Sequence, residues 1–207
     1  MRWRKGLLFV VCLQPLFWVV WAASVSGGLG PDPGKTLVLF SGDWALRFLL
    51  LTLLISPIKR WVGLGEVLRY RRMLGLYAFF YATIHLLAVF TYLLGWSAEI
   101  FVEEFSERPY MALGILAWLI MLPLAVTSNQ LMIRFLKKQW QRLHQFVYVA
   151  GILACAHFLW LVRSDYTDAI IYTLILALLL LDRIVVSLKR RSKTPSGFAV
   201  AEQQSIK

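Results

Sequence analysis

Histidine occurs only three times in the chain, at positions 85, 144 and 157. His85 and His157 lie deep inside apolar stretches, about 13 and 15 residues from the basic end of each, or roughly 19 and 22 Å at ~1.5 Å per helical residue. An imidazole facing lipid is costly unless buried against a partner, so two at nearly one level on different helices point to a shared ligand. Heme iron takes axial imidazoles from opposite faces, which makes His85 and His157 candidate iron ligands. Ala78 and Ala82 stand seven and three positions before His85, and Ala150 and Ala154 stand seven and three positions before His157. Positions three and seven apart share a helix face. Each histidine therefore projects from a surface stripped of bulk, a slot that a flat macrocycle could enter; close helix packing is the other use of such small residues.

His144 precedes His157 by 13 positions, so at ~3.6 residues per turn it points about 140° away and lies ~20 Å nearer the basic end. It reads either as a solvated interfacial residue or as a ligand or hydrogen-bond donor for a second redox group, with Gly151 at +7 giving that group room. Arg47 could meet a heme propionate or pair with Asp43 one turn before it. Arg69, Arg71 and Arg72 suit lipid headgroups, and the same cluster could hold the phosphate of a flavin. Cys12 and Cys155 belong to no C-x-x-C-H string, so a heme here would lack thioether links. No Walker loop, no G-x-G-x-x-G and no serine nucleophile motif occurs.

These side chains need a scaffold, and composition dictates its kind. Of the 207 residues 59% are hydrophobic and 16% charged, which excludes an ordinary soluble domain. Lys and Arg outnumber Asp and Glu by 22 to 11, but a mean hydropathy of +0.67 assigns that excess to a membrane and not to nucleic acid. Six apolar stretches, about 7–25, 44–58, 73–95, 109–127, 140–163 and 168–187, are expected to be helices, because in hydrocarbon the backbone must satisfy itself within the segment. The second is short; it either gains length from residues 36–40, interrupted by Ser41-Gly42-Asp43, or begins below the surface. The first, preceded by Arg2, Arg4 and Lys5, mimics a secretory signal but is long for one and reads as a retained helix. Eighteen of the 22 basic residues fall on one side of this threading, and Lys35, Arg47, Arg108 and Arg163 on the other, so both termini are expected in the cytoplasm. Glu99, Glu103, Glu104 and Glu107 collect in an outer loop. No repeat of fixed period stands out. Residues 1–191 read as one all-α, six-helix transmembrane domain and 192–207 as a polar, disordered cytoplasmic tail.

Four strings carry a resemblance: GGLGPDPG (27–34), RRMLGLYAFFYATIHLL (71–87), RPYMALGILAWLIMLPLAVTSN (108–129) and WQRLHQFVYVAGILACAHFLW (140–160). Over nearly the whole chain these resemble the MsrQ family, formerly YedZ, of bacterial inner-membrane subunits. The resemblance implies a ferric-reductase-like six-helix domain that binds heme b and passes electrons to MsrP, a periplasmic molybdopterin enzyme that repairs methionine sulfoxide in oxidised proteins. It further implies electrons from the quinone pool or a cytosolic flavin reductase, with FMN as a second cofactor, and matches His85, His144 and His157 to the family's three histidines, the outer pair as axial ligands. Larger relatives of this class carry four histidines for two hemes and a soluble nucleotide-binding domain. Three histidines leave a second complete bis-histidine site unfilled, and a tail of about 20 residues cannot build such a domain. The competing expectations are a stand-alone cytochrome b reducing ferric iron or quinone, and a redox-inactive transporter or scaffold with structural histidines.

Overall fold

The computed structural model describes residues 2–63 and 65–192, and all regular structure among them is helical. In chain order the helices are α1 (Arg2–Ser24), α2 (Pro33–Val62), α3 (Leu68–Ala88, extended by a π-helical turn, Val89–Leu93), α4 (Ala98–Glu107), α5 (Tyr110–Val126), α6 (Gln130–Leu136), α7 (Lys138–Leu143), α8 (Val147–Leu161) and α9 (Thr167–Ser192). Five spans, Trp3–Ser24, Pro33–Val62, Gly65–Leu93, Lys138–Leu161 and Thr167–Lys189, are long and apolar enough to cross a membrane. α5 has 17 residues, about 26 Å, and makes a sixth span when taken with α4 across a 110° bend. The chain is thus a multi-pass membrane protein. The expected tail falls outside the described residues apart from Ser192, which ends α9.

The second stretch differs most from expectation. α2 is one continuous helix of 30 residues that starts at Pro33 and runs through Ser41-Gly42-Asp43. Asp32 accepts a hydrogen bond from the Lys35 amide at 3.0 Å, and Pro33 has no amide to leave unpaired in the first turn, so Asp-Pro is a strong start. Ser41 does not interrupt the helix because its hydroxyl donates back to the Leu37 carbonyl at 2.7 Å. Gly63, at φ +74°, closes α2 in the left-handed conformation that glycine adopts without strain. The segment expected as a glutamate-rich loop also differs: residues 98–107 form α4, capped by Ser97, whose hydroxyl accepts from the Ile100 amide at 3.3 Å. α9 follows a turn in which hydrogen bonds from the Thr167 hydroxyl and amide hold the Asp165 carboxyl below its ordinary range.

α2 lies along α3 and α5 along α8, with α9 against α8 and α2. Phe48, Leu53, Tyr77, Ala78, Tyr81, Ala150, Cys155 and Leu176 meet in the core between them. Large apolar side chains on the outward faces, such as Leu174, Leu178 and Leu181 of α9, are exposed, as a lipid-facing surface requires. α1 is held to α3 by two tyrosines one turn apart. Tyr77 donates to the Phe9 carbonyl at 3.0 Å, and Tyr81, 1% exposed, donates to the Cys12 carbonyl at 3.0 Å and accepts from the Leu16 amide at 3.2 Å. Pro15 sits beside this insertion, where its missing amide leaves the ladder of α1 one bond short. At the basic end Arg60 of α2 pairs with Asp182 of α9.

Candidate functional site

His85 lies in the last turn of α3, where the Val89 amide donates to the carbonyls of His85 and Leu86 before the chain widens into the π turn. Its Nδ1 stands 2.8 Å from the Val38 carbonyl oxygen of α2. His157 of α8 repeats the arrangement, with Nδ1 2.7 Å from the Tyr110 carbonyl oxygen of α5. A carbonyl can only accept, so the bond places the proton on Nδ1 of both rings and leaves Nε2, on the far edge, with a free lone pair. The two ring centroids are 6.3 Å apart and the rings nearly perpendicular, at 79°. A metal bonded to both Nε2 atoms at the ~2.0–2.1 Å usual for imidazole on a transition metal would hold the centroids about 6.4 Å apart. No group of three or more His, Cys, Asp or Glu able to hold a bare ion occurs among the described residues, so such a metal must bring its remaining donors with it.

The histidines face a cleft with about 1080 Å³ of empty space, part of it open to the surroundings. Its lining is almost wholly apolar and includes Ala82 and Ala154, together with Gly42, Gly114, Met121 and Trp118. Phe101 of α4 also reaches it, so the helix that was expected as a loop forms part of the wall. Ala78 and Ala150 do not line it; both are 0% exposed and belong to the helix-packing core. Arg47 also lies off the cleft. Its Nε donates to the Tyr172 hydroxyl at 2.8 Å, a second nitrogen lies 3.6 Å from Asp43, and the guanidinium stands 5.1 Å from the centre of the Trp44 ring.

A second cavity, with about 1400 Å³ of empty space, opens toward the basic end and is lined by His144, Trp140, Arg71, Arg72, Ser128 and Arg183 among others. His144 stacks on Trp140 at 3.9 Å between centroids, and its Nε2 lies 3.4 Å from the Ser128 hydroxyl. Arg69 points elsewhere and pairs with Glu66 at 3.3 Å. Gly151 is not at this cavity: a side chain there would meet Leu176 and Leu53 at 3.3 and 3.6 Å, so its small size serves the packing of α8 against α9 and α2. Leu49 and Met121 line both cavities and form the partition between them.

A periodicity absent from the sequence reading becomes visible here. Gly42 and Gly114, Ala82 and Ala154, and His85 and His157 are each separated by 72 positions, and so are Leu49 and Met121. Ten such pairs line the histidine cleft, which is therefore built from two matching hairpins, α2 with α3 and α5 with α8. The same spacing relates Arg72 to His144 in the second cavity. The cavity-lining positions carry most of the spacing, joined by Ala78 and Ala150 in the packing core, while most residues between them differ, which is why no repeat stood out by sequence.

The polytopic helical bundle sets two histidines on opposite sides of an apolar cleft, and residues 41–155 match the family described as "Ferric reductase like transmembrane component", which defines a ferric-reductase-like transmembrane domain. Among curated proteins, the "Protein-methionine-sulfoxide reductase heme-binding subunit MsrQ" of Xanthomonas axonopodis pv. citri (strain 306) is 46% identical over 197 residues, covering 92% of this chain and 89% of the relative. The proteins of the same name from Xanthomonas oryzae pv. oryzae (strain MAFF 311018) and Xanthomonas campestris pv. campestris (strain 8004) are 47% and 48% identical, covering 85% and 86% of this chain and 83% of each relative. The chain belongs to the MsrQ family. No solved structure matches it.

Proposed function

We propose that this chain is a heme b electron-transfer subunit of the bacterial inner membrane, serving a periplasmic molybdopterin methionine sulfoxide reductase of the MsrP type. One observation carries the reading: two imidazoles from separate hairpins, both fixed through Nδ1, stand 6.3 Å apart across an apolar cleft. Heme b bound there would supply a one-electron Fe(II)/Fe(III) couple. His85 and His157 would each present a neutral Nε2 to the iron, and Ala82 and Ala154 would let the macrocycle approach their helices. The apolar lining keeps water from the ring faces. The names of the curated relatives and the family match support the same cofactor class.

The second cavity is our candidate for the entry of electrons, from quinol or from a cytosolic flavin reductase through FMN. Arg71, Arg72 and Arg183 offer cations for an anionic group, and the stacked Trp140–His144 pair offers a flat surface for a conjugated ring. The bias of basic residues toward that end supports cytoplasmic termini and an outward-facing His85–His157 cleft. The test is optical. Purified protein should carry a low-spin b-type spectrum that His85→Ala and His157→Ala each abolish, and reduced protein should be reoxidised by the periplasmic reductase with methionine sulfoxide present. A colourless wild-type protein refutes the reading. Stoichiometric heme that the reductase never reoxidises would instead indicate a stand-alone cytochrome acting on ferric iron or quinone.

A further inference from the structure

We infer that Gly42 and Gly114, each with the main-chain carbonyl four residues before it, form two matching sockets that orient the imidazoles of His85 and His157 and set their donor strength toward a heme iron. The inference rests on the ligation proposed above and assigns positioning roles to residues that touch no iron. A side chain at position 42 would put its Cβ 3.0 Å from His85 Nδ1 and 3.1 Å from Cε1. At position 114 it would lie 3.0 Å from both Nδ1 and Cε1 of His157. Carbon atoms rest at about 3.5–4.0 Å, so a methyl group at either place requires the ring to give by a few tenths of an ångström and strains its bond to the carbonyl.

The carbonyl stands in the right place for a geometric reason. In an α-helix the carbonyl of one residue points toward the amide four residues on, and a second lone pair remains for an outside donor. A side chain on that fourth residue would crowd a donor arriving from the flank. With glycine at 42 and 114 the imidazole reaches the Val38 and Tyr110 oxygens at 2.8 and 2.7 Å. Close packing alone does not explain the pair. Gly151 faces leucine side chains, Gly75 faces a threonine, and Gly6 and Gly65 have nothing within 4 Å; the two cleft glycines are the described ones whose nearest neighbour is an imidazole. The chain builds the same contact twice, with 43 positions from glycine to histidine and 47 from acceptor to histidine in both hairpins.

A bond from Nδ1–H to a carbonyl makes Nε2 more basic, which favours ferric over ferrous iron. Filling a socket weakens that bond and tilts the ring. Gly42→Ala and Gly114→Ala should each move the Fe(II)/Fe(III) equilibrium about tenfold toward the reduced form, roughly 59 mV upward for one electron, and alter the low-spin electron paramagnetic resonance spectrum. Gly6→Ala, with open space around it, should do neither. Both cleft variants binding heme with wild-type potential and spectrum would overturn the inference. If either loses heme, a second arm decides. His85→Gly is supplied with imidazole, which can donate to the Val38 carbonyl, or with 1-methylimidazole, which can bind iron but cannot donate. Restoration of the low-spin spectrum by imidazole at tenfold or more lower concentration supports the socket, and equal restoration overturns it. A low-spin spectrum in His85→Gly with nothing added would instead show that His85 is no ligand, a failure of the ligation reading itself.

Discussion

Enlarging the four alanines near the histidines should split them into two classes with opposite signs. Ala82 and Ala154 line the cleft, whereas Ala78 and Ala150 are 0% exposed and packed on all sides. Leucine adds three carbons. In the empty cleft of heme-depleted protein these can be buried against apolar walls at ~0.8 kcal/mol per methylene, so Ala82→Leu and Ala154→Leu should leave that form as stable as wild type or up to about 2 kcal/mol more stable. The same carbons at positions 78 and 150 have no space and should destabilise by about 1–3 kcal/mol through overpacking. Heme content should fall more than tenfold in the first class, because the added leucine occupies the slot. In the second class it should fall only as far as the fold itself is lost. Denaturant unfolding in detergent, followed by circular dichroism on heme-depleted protein, gives the first quantity, and a pyridine hemochrome assay on freshly purified protein gives the second. Full heme occupancy in Ala154→Leu would refute the assignment of the cleft, and unchanged stability in Ala78→Leu would refute the close packing of α3 on its neighbours.

Tyr81→Phe removes one donated and one accepted hydrogen bond at the Pro15 insertion and should cost about 1–2 kcal/mol, read as a lower unfolding midpoint in detergent with the heme spectrum unchanged. His144→Ala should keep the outer heme but slow its reduction by a cytosolic flavin reductase in stopped-flow traces with and without FMN; unchanged rates at equal heme content would leave quinol as the donor. Reporter fusions after Arg72 and Lys138 should score cytoplasmic and those near Gly30, Glu104 and Asp165 periplasmic, and the reverse pattern would invert the proposed direction of electron flow.

The long spans were legible because lipid imposes one rule on every segment that crosses it, and α1, α3, α9 and the run from α7 through α8 all satisfy it in their own residues. The start of α2 was legible in principle, since Asp32-Pro33 is a capping pair, but the polar Ser41-Gly42-Asp43 outweighed it when hydropathy alone was weighed. Hydropathy cannot register that a serine returns its hydroxyl to its own helix, or that a glycine makes way for a ring on another. α4 was hidden for a related reason: it lies at the surface with four glutamates, and its contribution to the cleft rests on the single side chain of Phe101. Of the residues singled out by spacing, His85, His157, Ala82, Ala154, His144, Arg71 and Arg72 do line the two cavities. Ala78, Ala150, Gly151, Arg69 and Arg47 lie elsewhere, because a helical face is wider than a cavity and shared facing is not shared contact.

Four long-range hydrogen bonds that organise this bundle end on peptide oxygens: those of Val38 and Tyr110 receive the histidines, and those of Phe9 and Cys12 receive the tyrosines. A point mutation can replace a donor side chain, yet it cannot delete a peptide oxygen from the chain. On the acceptor side the genetic target is accordingly very small. Positions 9, 12, 38 and 110 can exchange side chains within the limits of packing and still offer the same oxygen in the same place. Damage must come indirectly, from a neighbour that intrudes on the donor or from a proline that disturbs the local backbone. Such an architecture ties the geometry around the cleft to the course of the backbone and not to the identity of the side chains at the acceptor positions.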